Sequence, residues 1–232
     1  MAARTHLDRP AQPETWSTTL AGILFDLDGT LVDSTAVVER QWWTFLGWYG
    51  LPAEAFPEPL HGKRAEDHIR GMLPADQVAD AVARLAALEA TDLAGVTAIA
   101  GAAQLLDAVD GVVPWGIVTS GTLKVATARL AAAGLPMPSV LVTAEDVRAG
   151  KPDPEPYLIG LERLGASGPV VVFEDAPAGV RSGRAAGCPV VALTTSHPAE
   201  DLADADVVVP DLTSVALPAP AKDDSPVLTA VR

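Results

Sequence analysis

The sequence predicts an α/β fold: a doubly wound, Rossmann-like parallel sheet core with a small inserted helical cap. Three observations predict it. Short runs rich in Val, Ile, Leu and Phe recur at 23–25, 115–119, 140–143, 170–173, 190–194 and 207–209, and strands buried on both faces lose polar alternation. From Gly101 onward helical patterns separate these runs, as crossovers between parallel strands require. Residues 34–98, by contrast, hold amphipathic helical patterns without a convincing strand, so a helical block interrupts the sheet after its first strand.

The elements follow in order. Ile23-Leu-Phe25 forms the first strand and ends abruptly in Asp26, Asp28 and Gly29. Asp33 and Ser34 can cap a helix striped by Val38, Trp42, Phe45, Leu46 and Tyr49, which Gly50-Leu-Pro ends. Trp42, Trp43 and Trp48 could suggest an aromatic binding surface, but most of them read as core or domain-interface side chains. Helices are expected at 66–72 and 75–93, the second opened by Pro74 and striped by Val78, Val82 and Leu85. Next come a helix at Ala102–Val109, a strand at 115–119 and a helix at 122–133 closed by Gly134. After a strand at 140–143, Asp153 and Pro154 open a helix that runs to Leu164 and is closed by Gly165. The strand at 170–173 runs into Glu174-Asp175, and a helix at 178–186 precedes strands at 190–194 and Val207–Val209. The expected division is a loose tail at 1–19, a core at 20–33 and 99–216, a helical cap at 34–98 and a second tail at 217–232.

Of the 232 residues 49% are hydrophobic, which supplies a core, and the formal charge is −14. That balance disfavours a nucleic-acid partner, which needs clustered Lys and Arg to neutralise phosphates. A small anion is still admissible, because a pocket can be locally positive and a divalent cation adds charge that the count omits. The single cysteine, Cys188, excludes an internal disulfide and reads as a buried structural thiol. No apolar run is long enough to span a bilayer, and residues 1–19 lack the continuous apolar core of a secretory signal. A monomeric cytoplasmic protein without a membrane partner is expected.

Four short stretches carry chemistry. Asp26 and Asp28 stand two apart on an extended segment, so both side chains can face one crevice at the carboxyl edge of the sheet, where open α/β sheets bind ligands. Their mutual repulsion calls for a bound cation or a retained proton, although Asp-Gly alone is also ordinary turn chemistry. Thr119, Ser120 and Gly121 combine a hydroxyl with amides at a helix start, a phosphate cradle or a plain helix cap. Lys151, before Pro152, is a solvated charge in isolation but beside acids can hold a phosphoryl group. Glu174-Asp175 ends another buried run, and oxygen ligands of this kind suit Mg²⁺.

In this order and context, Phe25-Asp-Leu-Asp-Gly-Thr-Leu31, Thr119, Lys151-Pro152 and Glu174-Asp175 resemble the motifs of the haloacid dehalogenase (HAD) superfamily, over residues 20–212. The resemblance implies that Asp26 is the nucleophile, and that Asp28 protonates the leaving alkoxide and then activates water. It further implies Mg²⁺ on the Asp26 carboxylate, the Asp28 main-chain carbonyl and Asp175, with Glu174 at the metal or just behind it. Thr119, the Ser120 amide and Lys151 would grip the phosphoryl oxygens. The helical block is similar to the cap of the β-phosphoglucomutase-like branch. Within it, His61-Gly-Lys-Arg-Ala-Glu-Asp67 looks like the substrate-facing loop of small sugar and polyol phosphatases, which implies substrate contacts from His61, Gly62, Lys63 and Arg64, while His68 packs. The activity so implied is Mg²⁺-dependent hydrolysis of small sugar or polyol phosphate monoesters through an aspartyl phosphate. A β-phosphoglucomutase-type mutase shares the core motifs but carries a histidine where this chain has Val38. A non-catalytic sugar-phosphate sensor is a third reading. Phosphoacceptor receiver domains hold similar groups in a different order, and a dehalogenase would have no need of Asp28.

Overall fold

The computed structural model describes residues 15–57, 60–218 and 225–231. In chain order they form β1 (Thr15–Thr19), β2 (Gly22–Phe25), β3 (Val32–Asp33), α1 (Thr35–Tyr49), α2 (Ala65–Ile69), α3 (Ala75–Glu89), β4 (Thr97–Ala98), α4 (Ala102–Val109), β5 (Trp115–Val118), α5 (Leu123–Ala133), β6 (Val140–Val142), α6 (Glu155–Leu164), β7 (Val170–Glu174), α7 (Pro177–Ala185), β8 (Val190–Leu193), β9 (Val207–Val209), β10 (Val215–Ala216) and β11 (Val227–Val231).

Six strands make one parallel sheet in the order β6-β5-β2-β7-β8-β9. The chain therefore builds outward from β2 in one direction and then, from β7, in the other. A crevice opens at the carboxyl edge where the strand order reverses, which here lies between β2 and β7. Register makes this useful. Phe25 pairs with Ile117 on one side and Phe173 on the other, so Asp26, Val118 and Glu174 stand level at the sheet edge.

Alternate residues along each strand feed two apolar layers. Ile23, Phe25, Ile117, Val171 and Phe173 enter one, with Leu24, Val118, Val142, Val172 and Val190 in the other. Phe25 stacks on Phe173 at 5.0 Å. Complete burial of such side chains contributes roughly 1.5–3 kcal/mol each, and this holds rigid the strands from which the acids project. Cys188 is buried just before β8, its thiol pushed up to about 11 by burial.

The helical block has its own core, in which Val38, Trp42, Phe45 and Leu46 of α1 meet Ile69, Val78, Ala81 and Leu85. Gly50 takes the left-handed conformation (φ 60°) that ends α1. Ser34 occupies the cap position of α1 without a side-chain capping bond; its hydroxyl goes to Asp28 instead. Trp42 is buried and Trp48 packs against the same core, whereas Trp43 is 45% exposed and stacks on Phe56. Where the chain leaves and re-enters the core, β3 and β4 pair antiparallel, Val32 with Ala98 and Asp33 with Thr97, which places a two-residue strand within the stretch expected to lack one.

The expectation of loose tails fails for their described parts. β1 pairs antiparallel with β11 from Thr15↔Val231 to Thr19↔Val227, and β10 pairs with β11 on its other side. Leu228 and Ala230 of β11 alternate into the larger apolar layer, and that burial anchors the ribbon. The remaining tail residues, 1–14, 219–224 and 232, lie outside the described residues. Among the described residues no helix is long and apolar enough to cross a membrane.

Candidate active site

Side chains from separated parts of the chain meet at the β2/β7 edge. Lys151, in the loop before α6, places its Nζ 2.5 Å from Asp26 Oδ1, 2.6 Å from Glu174 Oε1 and 2.9 Å from the Val118 carbonyl. All three acceptors come from the level set by the Phe25 register. Lys151 is 2% exposed and Glu174 fully buried. Burial alone would lower the Lys151 ammonium, but the Asp26 and Glu174 carboxylates overcome this and hold it above its ordinary value.

Carboxylate oxygens of Asp26, Glu174 and Asp175 lie within 4.8 Å of one another. Burial raises Asp26 well above the usual carboxyl range, Lys151 opposing and the two neighbouring acids reinforcing. Asp175 is pushed up to about 8, first by burial and then by Glu174. Three buried carboxylates against one ammonium are short of positive charge, and their donors are all oxygen. Both features fit a hard divalent cation.

Residues invisible as site members in the sequence hold this cluster in place. The Tyr157 hydroxyl donates to Glu174 Oε1 at 2.6 Å, and burial, then Glu174, keeps it firmly protonated. Thr30 Oγ1 donates to Asp175 Oδ1 at 3.3 Å and Ser196 Oγ to Asp175 Oδ2. Two glycines admit the carboxylates. A Cβ on Gly29, at φ +86°, would lie 2.0 Å from Asp175 Oδ2, and one on Gly179 would lie 1.8 Å from Glu174 Oε1. Gly179→Ala is therefore expected to push Glu174 off Lys151 and Tyr157, lowering the thermal midpoint by about 4–8 °C through overpacking. An unchanged melting curve would contradict this.

Asp28 goes its own way. Its Oδ1 accepts from Ser34 Oγ at 2.7 Å and from Arg129 Nη1 at 2.8 Å, and its carboxylate stands outside the cation-binding group. The resemblance offers the metal only the main-chain carbonyl of Asp28; its carboxylate is already neutralised by an arginine. Arg129, on the buried stripe of α5, also meets Glu89 Oε1 through Nη2 at 3.1 Å.

A cleft of about 60 Å³ opens above Asp26 and Asp28, lined by Thr119, Ser120 and Gly121 from the core and by His61, Gly62, Lys63, Val38, Trp42, His68 and Glu89 from the helical block. His61 is buried with Nε2 unpartnered, and burial lowers its pKa. Gly62, at φ +87°, rests against Ala176, and its carbonyl accepts from Ser120 Oγ at 3.3 Å. His68, expected only to pack, meets Trp42 edge-on and also lines the cleft.

One expected contact is placed differently. Arg64 does not line this cleft; Asp67, three residues on, holds its Nε and Nη2 at 3.0 and 2.8 Å, and Nη1 faces the Val147 carbonyl. Near the start of α5 the amides of Gly121, Leu123 and Val125 are already engaged. Thr122 caps Val125 N, Glu145 accepts from Leu123 N, and the Gly121 amide turns back to Thr119 Oγ1 at 3.0 Å. Thr119, Ser120 and Gly121 still line the cleft, but the helix end already has its anion.

Known proteins resemble this chain in sequence and in overall structure. A family model described as haloacid dehalogenase-like hydrolase matches residues 20–187. Hexitol phosphatase A of Escherichia coli is 46% identical over 199 residues, covering 84% of this chain and 92% of its own. Validoxylamine A 7′-phosphate phosphatase of Streptomyces hygroscopicus is 38% identical over 84% of this chain and 95% of its own. The crystal structure of a hydrolase from Pseudomonas syringae superposes with a TM-score of 0.75 at 27% identity, covering 83% of this chain and 94% of that one. Matched along most of its length in sequence and in structure, the chain belongs to the haloacid dehalogenase-like hydrolases.

Proposed function

We propose that this protein is a Mg²⁺-dependent phosphatase that hydrolyses small sugar or polyol phosphate monoesters through an aspartyl phosphate on Asp26. One observation carries the reading: two aspartates, two residues apart, have been given opposite surroundings. Asp26 sits with Lys151, Glu174 and Asp175, while Asp28 sits with Ser34 and Arg129. Separate environments divide separate roles between like side chains. The two relatives described above are named as phosphatases, one of hexitols and one of validoxylamine A 7′-phosphate.

In this mechanism the Asp26 carboxylate attacks phosphorus and the ester P–O bond breaks, while Asp28 gives a proton to the departing alkoxide. Asp28 then takes a proton from water, whose oxygen attacks the aspartyl phosphate and releases phosphate, so that one difficult displacement becomes two easier ones. Held by Asp26 and Asp175, with Glu174 beside it, Mg²⁺ would supply positive charge that lets an anionic phosphate approach these acids. Lys151 orients the Asp26 carboxylate through one oxygen, and Thr119 and Ser120 face the phosphoryl group from the β5 side. His61 and Lys63 meet the leaving group from the helical block. The cleft holds about 60 Å³, a handful of water-sized groups, so a hexose or hexitol phosphate enters as the block lifts.

Val38 favours hydrolysis over phosphoryl transfer within a sugar. It lines the cleft and is aliphatic, so it cannot carry a proton for a substrate hydroxyl. The test is phosphate release from sugar, polyol and nucleotide monophosphates with Mg²⁺ present, alongside hexose 1-phosphate isomerisation. Release with preference for small polyol or hexose phosphates is expected. Isomerisation without release would establish the mutase reading, and equal negligible rates for wild type and Asp28→Asn would favour a sensor.

A further inference from the structure

Arg129 lies on the stripe of α5 that also buries Val125, Ala126 and Leu130. It is 3% exposed, and its Nε has no partner among the described residues. A guanidinium is buried at such a position only when its charge is matched. Here it is matched twice, from different parts of the fold: Asp28, which follows β2 in the core, at 2.8 Å, and Glu89, the last residue of α3 in the helical block, at 3.1 Å. The planar fork of an arginine can span two carboxylates at once, which an ammonium on a flexible stem does less well.

Asp28 itself receives Ser34 and Arg129 on the same oxygen, Oδ1. Ser34 fixes it from the start of α1, and Arg129 fixes it from α5. Proton transfer depends on placing the acid within hydrogen-bond reach of the leaving oxygen. Glu89 holds the second arm of the guanidinium and would leave with α3 if the block lifted.

We propose that Arg129, gripped by Glu89 of the helical block, is the residue that positions Asp28 for proton transfer, so that the acid/base is set only while the block is seated on the core. This rests on the phosphatase reading above. Arg129 acts through Asp28 and is a positioning residue. Its signature is therefore leaving-group dependence: an alkoxide from a polyol needs the proton, whereas p-nitrophenolate departs without it.

The experiment compares Arg129→Met, Arg129→Lys and Glu89→Gln with wild type, measuring leaving-group release in the first turnover, together with kcat and KM, for a hexitol phosphate and for p-nitrophenyl phosphate, with thermal melting as the check on folding. For the hexitol phosphate, the first-turnover rate is expected to fall about 100-fold in Arg129→Met, about 10-fold in Arg129→Lys and about 3-fold in Glu89→Gln, while first-turnover release of p-nitrophenol stays within about 2-fold; the later hydrolysis of the aspartyl phosphate needs Asp28 for both substrates and slows alike. Arg129→Met strips the pairing from two half-buried acids; if it does not fold, the lysine and glutamine variants decide. Equal first-turnover losses on both substrates would make the triad merely structural and overturn the proposal. A raised KM at unchanged kcat would put Arg129 and Glu89 on the substrate and overturn it as well. An inert wild type overturns the phosphatase reading and this inference with it, whereas an active wild type with unchanged ratios in the variants overturns this inference alone.

Discussion

Asp26→Asn is expected to leave the fold standing while kcat for phosphate release falls by about 10⁵-fold. The carboxamide is nearly isosteric and its oxygen can still accept from Lys151 Nζ, which keeps its second carboxylate, Glu174, at 2.6 Å. The nucleophile is lost, and with it one of the three acids able to hold a cation. Stability should move the other way. Burial and the neighbouring acids raise Asp26 well above the usual carboxyl range, so its charge is opposed by its surroundings and a neutral side chain relieves them. In metal-free protein the melting midpoint is expected to stay level or rise by about 2–4 °C, the shift that about 1 kcal/mol produces at this size. Steady-state phosphate release and thermal melting check both halves. A variant keeping a few per cent of wild-type kcat would remove Asp26 from the role of nucleophile.

The sheet and its acids are legible in sequence because a strand covered on both faces must be apolar throughout, and such a run is conspicuous when it stops at a carboxylate. Ile23-Leu-Phe25 before Asp26 and Val170-Val-Val-Phe173 before Glu174 are of this kind, and both meet at the β2/β7 edge. The β1/β11 ribbon is not legible. Thr15–Thr19 is short and mostly polar, and its partner lies at the other end of the chain, so no local pattern announces the pairing. Arg64 and Lys63 read alike, as cations at a helix start; Asp67, one turn on, decides that Arg64 turns aside. Arg129 and Glu89 left a usable trace. Arg129 stands four residues after Val125 on the buried stripe of α5, and Glu89, half-buried, stands four after Leu85 where the stripe of α3 ends. A charge on an apolar stripe is costly unless paired, and two such charges of opposite sign point to one another. What sequence could not show is that Asp28 completes the set, because that meeting depends on how α3 and α5 come together.

Removing divalent cations with a chelator is expected to abolish phosphate release and lower the melting midpoint, and restoring Mg²⁺ to recover both. At a free concentration 100 times its Kd, a cation that binds only the folded chain stabilises it by about 2.7 kcal/mol, or roughly 5–11 °C here. That gain should depend on pH, with a sign set by Asp175. Burial and Glu174 push its carboxyl from an ordinary 3.8 up to about 8. Between those values the folded, metal-free protein retains a proton that the unfolded chain has released, so its stability is greatest below the lower value and declines as pH rises through about 8. Asp26 is raised as well and adds in the same direction. A divalent cation takes the place of the proton and so binds more tightly as pH rises across the same window. The midpoints with and without Mg²⁺ should consequently move apart from pH 5 to pH 8. Melting curves at half-unit intervals would show it, and a gap constant with pH would mean that these buried acids do not hold the metal.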